Sequence, residues 1–249
     1  MKELISIIIP YFKKKKYFEK TIESVVNQTY QKFEVILIYD DIDNSDLKFV
    51  KYTLRKIKNK KIIINKKNLG VGVSRNIGIQ AAQGRFIAFL DADDMWHKDK
   101  IKEQIIYMKK NKVDFSYSSY AINDKNMKIL KIIKAPKKVM FKDLLFACNI
   151  GLSSVMIKAY LLNDDKFTSL KTQEDYLLWL KLSKRNIKME GITKTLMYWR
   201  KTDNSLSSSV TQKLKDAFSI YNRHLNLSII KSTYHVLLLS MNFLRKRYL

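Results

Sequence analysis

The stretch Phe86–Trp96, FIAFLDADDMW, decides the fold, because five mostly apolar residues run directly into three carboxylates. The apolar run has the length and composition of a strand that is covered on both faces of a sheet. Asp91, Asp93 and Asp94 follow where that strand should end. Negative charge is thus concentrated at one strand end of a chain whose formal net charge is +25. This contrast indicates that the three carboxylates have a specific task at the rim of a buried sheet.

Strand–helix units repeat around this stretch. Apolar runs predict strands at Leu4–Ile9, Phe33–Tyr39, Lys61–Asn65 and Arg85–Leu90, and apolar residues at helical spacing follow each of them. Pro10 is expected to end the first strand. Repeats of about 25 to 30 residues predict an α/β fold with a parallel, doubly wound sheet.

The second half of the chain is less regular. We see no internal repeat and no low-complexity linker there. From about residue 211 the pattern is almost purely helical. The other predicted elements are strands at Val113–Ser119, Met127–Ile133 and Ser153–Ile157, and an amphipathic helix at Gln173–Arg185.

Composition restricts the class of protein. Of the 249 residues, 46% are hydrophobic, which is enough for a substantial core and argues against disorder. The surplus of 48 Lys and Arg over 23 Asp and Glu predicts affinity for nucleic acid, an anionic membrane surface or phosphorylated substrates. The alternative is a solvated lysine-rich surface. A single cysteine, Cys148, excludes an intrachain disulfide and fits a cytosolic setting. The apolar run at residues 4–10 is too short for a signal peptide or a membrane span.

Carboxylates also follow a second strand, because Asp40 and Asp41 come directly after Tyr39. Ligands of open α/β sheets bind beyond the carboxyl ends of the strands. Like charges gathered there raise each other's pKa unless a cation intervenes. Mg²⁺ or Mn²⁺ would relieve the repulsion and bring substrate phosphates with it. The alternative is that these aspartates only form turns and helix starts.

Four segments form an ordered series of motifs: ISIIIPYFKKKKYFEKTIESVVNQTYQKFEVILIYDD (5–41), NLGVGVSRNIGIQAAQGRFIAFLDADD (68–94), QEDYLLWLKL (173–182) and YWRKTDNSLSSS (198–209). This series resembles the family 2 glycosyltransferases of bacterial surface-glycan synthesis, inverting sugar-nucleotide enzymes with the GT-A fold. The resemblance covers about residues 4–209. It implies a nucleotide-diphospho-sugar transferase fold in which helices flank a mostly parallel central sheet. The nucleotide-binding part would span about residues 1–112, the acceptor part 113–210, and a C-terminal helical extension 211–249.

The resemblance implies roles for single residues at the donor end. Asp93 would be the direct ligand of Mn²⁺ or Mg²⁺, with Asp91 reaching the ribose or a metal-bound water. Asp94 would contact the donor sugar or cap the following segment. Asp41 is a second candidate beside Asp40. The residues implied to bind the nucleotide are Pro10, Phe12, Asp40, Arg75, Asn76 and Asp91. For Phe12 a core position, and for Arg75 and Asn76 an exposed helix face, remain the alternatives.

At the acceptor end the resemblance points to Glu174 and Asp175. Inversion by single displacement requires a base that takes the proton of the acceptor hydroxyl. Asp175 would be that base and Glu174 would orient the acceptor; the alternative is an acidic helix start stabilised by the helix dipole. Many relatives have a histidine where this chain has Thr202, a poorer metal ligand, so weak metal binding is expected. Arg200, Lys201, Ser205 and Ser207 would then hold the diphosphate.

The tail, residues 211–249, combines positive charge with an apolar helical stripe. Seven lysines and arginines stand against one acidic residue, Asp216. A basic amphipathic helix predicts binding to an anionic membrane surface. The alternative is a helix docked on the catalytic domain or on a second copy of the chain, as in a homodimer. The stripe consists of Leu214, Phe218, Tyr221, Leu225 and Ile229.

These observations predict a metal-dependent inverting hexosyltransferase that uses a nucleotide-diphosphate sugar, with UDP the expected nucleotide. The acceptor would be a hydroxyl of a growing lipopolysaccharide, lipooligosaccharide or capsule at the inner face of the cell membrane. The alternative enzyme, a sugar-nucleotide nucleotidyltransferase, normally has a glycine-rich loop after its first strand, and PYFKKKKYF contains no glycine. Nucleic acid is not an expected partner, because only the charge supports it.

Overall fold

The computed structural model describes residues 3–202 and 209–248. The described residues form a mixed β-sheet with helices on both faces. The strands are β1 (Ile5–Tyr11), β2 (Phe33–Tyr39), β3 (Lys60–Ile64), β4 (Phe86–Phe89), β5 (Met95–Trp96), β6 (Phe115–Asn123), β7 (Ile129–Ile133), β8 (Lys138–Val139), β9 (Met156–Lys158) and β10 (Met189–Arg200). The helices are α1 (Lys15–Val26), α2 (Leu47–Thr53), α3 (Val71–Ala81), α4 (Lys100–Asn111), α5 (Phe141–Leu144), α6 (Glu174–Lys184), α7 (Val210–Ser219) and α8 (Ile229–Tyr248).

The strand order is β3-β2-β1-β4-β9-β6-β10-β5, with β7 on β6 and β8 on β10. The first four strands are parallel, as the sequence predicts, and the register pairs Ile8 with Ile36 on one side and Phe89 on the other. Beyond β4 the sheet is mixed, because β9 is antiparallel to both β4 and β6. The carboxyl ends of β1, β2 and β4 therefore lie at one edge, where the predicted aspartates follow.

Pro10 does not end the first strand, contrary to the prediction. It pairs in register with Ile38, and β1 continues to Tyr11, whose carbonyl accepts a hydrogen bond from Asp40 N. On the other side β4 pairs with β1 only as far as Ile8. The missing N–H of Pro10 therefore falls beyond the last paired residue of β4, where the ladder does not require it.

Two apolar cores cover the two faces of the sheet. Alternate residues of β1 point to opposite faces, so Ile8 packs in one core and Ile7 in the other. Helix α3 lies directly on β1, because a Cβ added to Gly78 would lie 2.5 Å from Ile8 Cγ2. This close approach requires glycine. Helices α1, α2 and α4 pack on the face of the sheet that includes Ile7.

Two predictions for the second half are wrong. A strand at Ser153–Ile157 was expected, but Leu152–Ser154 forms a 3-10 turn and the strand begins at Met156. The helix at Gln173–Arg185 was expected to be amphipathic, but α6 is buried on most of its surface. Its Trp179 packs edge-on against Phe115 in the core. The other side of α6 is covered by the C-terminal segment.

The C-terminal segment docks on the α/β domain. Asp216 of α7 accepts hydrogen bonds from Thr172 N and Oγ1 at 2.9 and 2.7 Å, beside the start of α6. After α7, a π-helical turn buries Tyr221, whose hydroxyl lies 2.8 Å from that of Tyr176. Helix α8 then returns along the domain, and Asn242 donates to the carbonyl of Phe146. Part of the apolar stripe predicted for the tail is therefore used for packing.

Candidate active site

The loop after β4 holds its three aspartates in two different environments. Asp94 is buried, with Oδ2 accepting a 2.6 Å hydrogen bond from Ser153 Oγ and Oδ1 accepting one from Arg200 N. Burial raises its pKa well above the ordinary value, and the charges of Asp93 and Asp91 add to the effect. Asp91 and Asp93 remain half-buried. Asp94 thus anchors the loop, and a contact of Asp94 with the donor sugar stays a prediction.

Asp93 lies against a cation of its own chain. Lys14, the residue before α1, places its ammonium 2.6 Å from Asp93 Oδ2. Burial raises the pKa of Asp93, Lys14 lowers it, and Asp91 raises it further; the net direction is upward. The carboxylate predicted to bind metal therefore has a lysine as its present counter-ion.

Arg75 joins the donor and acceptor carboxylates. Its Nη2 donates to Asp91 Oδ1 at 2.7 Å and its Nη1 donates to Glu174 Oε1. The guanidinium is almost fully buried and lies over the ring of Phe167. Burial alone would lower its pKa, but the two carboxylates outweigh burial and raise it. Arg75 is thus not an exposed helix residue; it links residues that are 83 positions apart in the chain. Its Nε is buried without a hydrogen-bond partner among the described residues, and a contact of Arg75 with the nucleotide stays a prediction.

Asp175 lies at the start of α6 with a raised pKa. Gln173, the preceding cap residue, has a left-handed backbone with φ of 61°. Burial and the neighbouring charge of Glu174 raise the pKa of Asp175 to about 7, against the lowering effect of Arg75. One carboxylate oxygen, Oδ1, accepts a hydrogen bond from Tyr176 N. No described residue donates to Oδ2, which leaves this oxygen for a substrate hydroxyl.

The residues predicted to hold the base lie at the ends of β1 and β2. Phe12 is 43% exposed and can offer its ring to a ligand, whereas Pro10 is buried. The carboxylate of Asp40 accepts hydrogen bonds from Asn65 Nδ2 and from the backbone N–H groups of Leu69 and Gly70. Asp40 therefore holds the loop before α3.

Asp41, the second candidate, has a buried carboxylate oxygen without a hydrogen-bond partner among the described residues. A buried acceptor that lacks a donor is costly. A ligand N–H at this position would satisfy it. Of the two aspartates, Asp41 is the one with a carboxylate oxygen still available to a ligand, and base binding by Asp40 or Asp41 stays a prediction.

Asn76, a predicted nucleotide ligand, contacts the backbone of its own chain. Its Nδ2 donates to Phe167 O at 2.8 Å, and its Oδ1 accepts from Phe167 N at 3.0 Å. Because both polar atoms of the amide contact one backbone residue, Asn76 holds the loop before α6 in place. A contact of Asn76 with the nucleotide stays a prediction.

The end of β10 supplies a second cation to the donor side. Arg200 is 4% exposed, and its guanidinium lies over the ring of Tyr17 at 4.8 Å. Its Nε and Nη2 have no hydrogen-bond partner among the described residues. Lys201 is exposed, and the hydroxyl of Thr202 is buried without a described partner. Ser205 and Ser207, also predicted to hold the diphosphate, lie outside the described residues.

Three contributors to this site were not predicted. Lys14 lies in a run of four lysines, and the only sequence feature that could have pointed to it is its position shortly after Pro10 and Phe12. Ser153, whose hydroxyl also accepts from Asp91 N at 3.1 Å, gave no sequence signal. Tyr17 gave no sequence signal either, and the Arg200 guanidinium lies over its ring.

The carboxylates fit a divalent ion that arrives with its substrate. Among residues 3–202 and 209–248 no group of three or more His, Cys, Asp and Glu side chains could hold a metal. Mg²⁺ and Mn²⁺ sites often use one or two carboxylates and complete their shell with phosphates and water. The pair Asp91 and Asp93 supplies that number of hard oxygen ligands. The donor set therefore fits a metal completed by a diphosphate, and the surrounding cations fit the diphosphate.

Two curated glycosyltransferases are similar to this chain over most of their length. TuaG of Bacillus subtilis, assigned to teichuronic acid biosynthesis, is 30% identical over 248 residues, which are 99% of this chain and 98% of TuaG. WfgD of Escherichia coli, a UDP-Glc:α-D-GlcNAc-diphosphoundecaprenol β-1,3-glucosyltransferase, is 34% identical over 87% of this chain and 85% of its own.

Solved structures show the same fold. The crystal structure of S. aureus TarS, residues 1–349, in complex with UDP-GlcNAc superimposes with a TM-score of 0.71 at 22% identity. The match covers 93% of this chain and 70% of the TarS chain. The fold is therefore that of the GT-A glycosyltransferases, as predicted. The family model for glycosyl transferase family 2 matches residues 6–162, which is more than half of the chain. Together with the two relatives, this match shows that the chain belongs to glycosyl transferase family 2 and is a glycosyltransferase.

Proposed function

We propose that the protein transfers a sugar, with inversion, from a UDP-sugar to a hydroxyl of a lipid-linked surface glycan. One observation carries the proposal: Arg75 connects Asp91 of the donor loop to Glu174, the neighbour of the proposed base. Donor and acceptor carboxylates therefore belong to one site. Membership of the family favours sugar transfer over nucleotidyl transfer.

The donor is proposed to lie along the edge formed by β1, β2 and β4. Phe12 stacks on the base, and the unpartnered oxygen of Asp41 accepts its imide N–H. Arg200 and Lys201 hold the diphosphate through charge-assisted hydrogen bonds. Asp93 and Asp91 hold Mn²⁺ or Mg²⁺, which when bound stabilises the negative charge that develops on the departing diphosphate.

The transfer is a single displacement. The acceptor oxygen attacks the anomeric carbon from the face opposite the diphosphate. A new C–O bond forms as the bond from that carbon to the phosphate oxygen breaks, and its electron pair leaves with UDP. Asp175 takes the acceptor proton through Oδ2. A pKa of about 7 suits this role, because the carboxylate is basic enough to accept a proton yet largely ionised just above neutral pH.

The acceptor is proposed to be a glycan on a membrane lipid. WfgD, by its name, acts on a sugar linked to diphosphoundecaprenol. Exposed residues of α8 form an apolar row. In sequence, the segment after Asp216 contains lysines and arginines and no acidic residue. The exposed members of the row are Ile229, Ile230, Tyr234, Leu237, Met241 and Leu244.

This row fits an anionic membrane surface better than a second copy of the chain, because two such tails would bring like charges together. Within the part of the chain that the structure describes, no helix is both long and apolar enough to cross a bilayer. We therefore propose that α8 lies on the inner face of the cell membrane, where the lipid-linked acceptor would be.

Activity tests the function directly. A panel of nucleotide sugars is screened by thermal shift with Mn²⁺, and UDP release is then measured with an undecaprenyl-linked glycan acceptor. Glycosyl transfer predicts UDP and a product of inverted anomeric configuration. Release of pyrophosphate, or product with retained configuration, would contradict the proposal.

Flotation with vesicles tests the membrane contact. The double variant Leu237→Glu/Met241→Glu should reduce binding to phosphatidylglycerol vesicles at least about tenfold, because two charges enter the apolar face. Ile106→Glu, at an exposed position on α4, is the matched control and should bind like the wild type. Unchanged flotation of the double variant, or a change only in oligomeric state by sedimentation, would overturn the proposal.

A further inference from the structure

Helix α1 begins in an unusual electrostatic environment. Four consecutive lysines, Lys13–Lys16, surround its N-terminus, and its first turn has no acidic residue. A helix N-terminus carries partial positive charge and normally attracts acidic side chains. Lysines at this end are unfavourable unless an anion is close to them. Three of the four lie near carboxylates, Lys13 near Asp43, Lys14 near Asp93 and Lys15 near Asp46. A bound phosphate would add an acceptor for the free N–H groups of the first turn.

Only one of the four lysines is directed into the donor site. The side chain of Lys14 is 24% exposed and reaches Asp93 Oδ2. Lys13, Lys15 and Lys16 are all exposed; Lys13 lies 3.7 Å from Asp43, and Lys16 lies over the ring of Tyr17. Lys14 therefore differs from its neighbours in both burial and partner.

Arg200 provides an independent indication of a missing anion. Its guanidinium packs on Tyr17, in the first turn of α1, and its backbone N–H donates to Asp94. The Nε and Nη2 atoms are buried and have no partner among the described residues. Leaving charged donors unsatisfied in a buried position is costly. Lys14 and Arg200 thus approach the same aspartate loop, one paired with a carboxylate and the other without a partner for two of its nitrogens.

We propose that Lys14 is the internal counter-cation of the donor site, which neutralises Asp93 in the free enzyme and passes to the donor diphosphate, beside Arg200, on binding. The inference rests on the proposed function. To that function the inference adds one residue, Lys14, and the order in which Lys14 changes its partner. A divalent ion that binds Asp93 through Oδ2 displaces the ammonium of Lys14, and the displaced ammonium needs a new anion. The diphosphate supplies that anion.

Metal and donor are therefore expected to bind cooperatively. In the free enzyme, Lys14 competes with Mn²⁺ for Asp93. With UDP present, the phosphates engage Lys14 and also complete the metal shell. By linkage, UDP must strengthen Mn²⁺ binding by the same factor by which Mn²⁺ strengthens UDP binding. Part of this coupling factor depends on Lys14.

Lys14→Met tests the proposal, since it keeps an unbranched side chain of nearly the same length and removes the charged ammonium group. Lys16→Met is the matched control on the same turn. Manganese binding to the donor-free protein is measured by electron paramagnetic resonance, and UDP binding is measured calorimetrically in EDTA and in Mn²⁺. We expect Lys14→Met to bind Mn²⁺ about tenfold more tightly without UDP, because the competing charge has gone.

In EDTA, Lys14→Met should bind UDP about tenfold more weakly, since one charge-assisted contact with the diphosphate is lost. Lys14→Arg should restore the wild-type pattern, and Lys16→Met should not differ from it. Donor-free Mn²⁺ affinity equal to that of the wild type, or UDP affinity in EDTA that does not fall, would overturn the role of Lys14. If the wild type binds no UDP under either condition, the proposed function itself fails, so the two failures are distinguishable. Thermal melts of all variants establish that each is folded.

Discussion

Replacing Glu174 by glutamine should shift the acid limb of the pH–rate profile to lower pH. Glu174 raises the pKa of Asp175, second only to burial. Glutamine keeps the side-chain shape and still offers an oxygen to Arg75 Nη1. It removes one negative charge beside Asp175, and it also leaves the charge of Arg75 less neutralised. Both effects favour the ionised form of Asp175.

The size of the shift follows from the geometry. Two carboxylates on neighbouring residues of one helical turn, roughly 7 Å apart, repel by about 1 to 2 kcal/mol at an effective dielectric constant of about 20 to 40. This repulsion corresponds to about one pKa unit. A base with a pKa of about 7 is about 9% ionised at pH 6, and one with a pKa of about 6 is about half ionised. At pH 6 the variant should therefore keep a fraction of its own plateau rate that is about five times the fraction kept by the wild type.

The assay is kcat/KM for the donor, measured as UDP release between pH 5.5 and 9, because this parameter reports the ionisation of the free enzyme. In the wild type the rate should fall about tenfold per pH unit below about pH 7. Glu103→Gln, in α4, is the control, since its carboxylate pairs with Lys194. An acid limb that does not move in Glu174→Gln, or that moves to higher pH, would refute the reasoning.

Three further substitutions follow from the same contacts. Asp175→Asn should leave the Kd for UDP within about twofold but lower turnover at least about 100-fold, because it removes the proton acceptor; residual activity near the wild-type level would show that another group is the base. Asp175→Asn should also be more stable than the wild type above pH 7, with the difference vanishing near pH 4 in thermal melts, because ionising a carboxyl with a raised pKa costs stability as the pH rises. Asp93→Asn should abolish the effect of Mn²⁺ on UDP affinity in calorimetry, and retained coupling would remove Asp93 from the metal site. Asp216→Asn should cost about 1 to 3 kcal/mol in urea unfolding, because Oδ2 accepts two bonds from Thr172 and Oδ1 accepts one from Gln212, whereas an amide keeps only one acceptor oxygen; a cost below about 0.5 kcal/mol would mean that the C-terminal segment is not held there.

The donor half of the fold was predictable because its physics is local. A short apolar run bounded by turn residues favours a buried strand, and the polar residue that follows such a strand is expected at the sheet edge. Phe33–Tyr39 and the strand before Asp91 were therefore placed to within a residue or two. The mixed second half depends on pairings between distant segments, and the turn at Leu152–Ser154 is set by contacts with Asp91, Asp94 and Trp96 rather than by its own sequence.

The sequence indicates which types of residue form the site, but it does not indicate which residues contact one another there. Nothing in a run of four lysines distinguishes Lys14, which is selected only when α1 and the β4 loop pack together. Arg75 and Asn76 are adjacent in sequence, yet one joins two carboxylates and the other holds a loop. The tail stripe mixes Tyr221, which is buried in the domain, with Ile229, which is exposed, and only the three-dimensional packing separates the two.

A crystal structure of the protein with UDP and Mn²⁺ tests the central claim most directly, namely that the aspartates after β4 and the neighbouring cations hold the donor's diphosphate. The account predicts an ion at about 2.1 to 2.3 Å from a carboxylate oxygen of Asp93 and from phosphate oxygens of UDP. It also predicts Lys14 and Arg200 within hydrogen-bonding distance of the phosphates. An ion bound away from Asp93, or a diphosphate with Lys14 still paired to that carboxylate, would contradict the account.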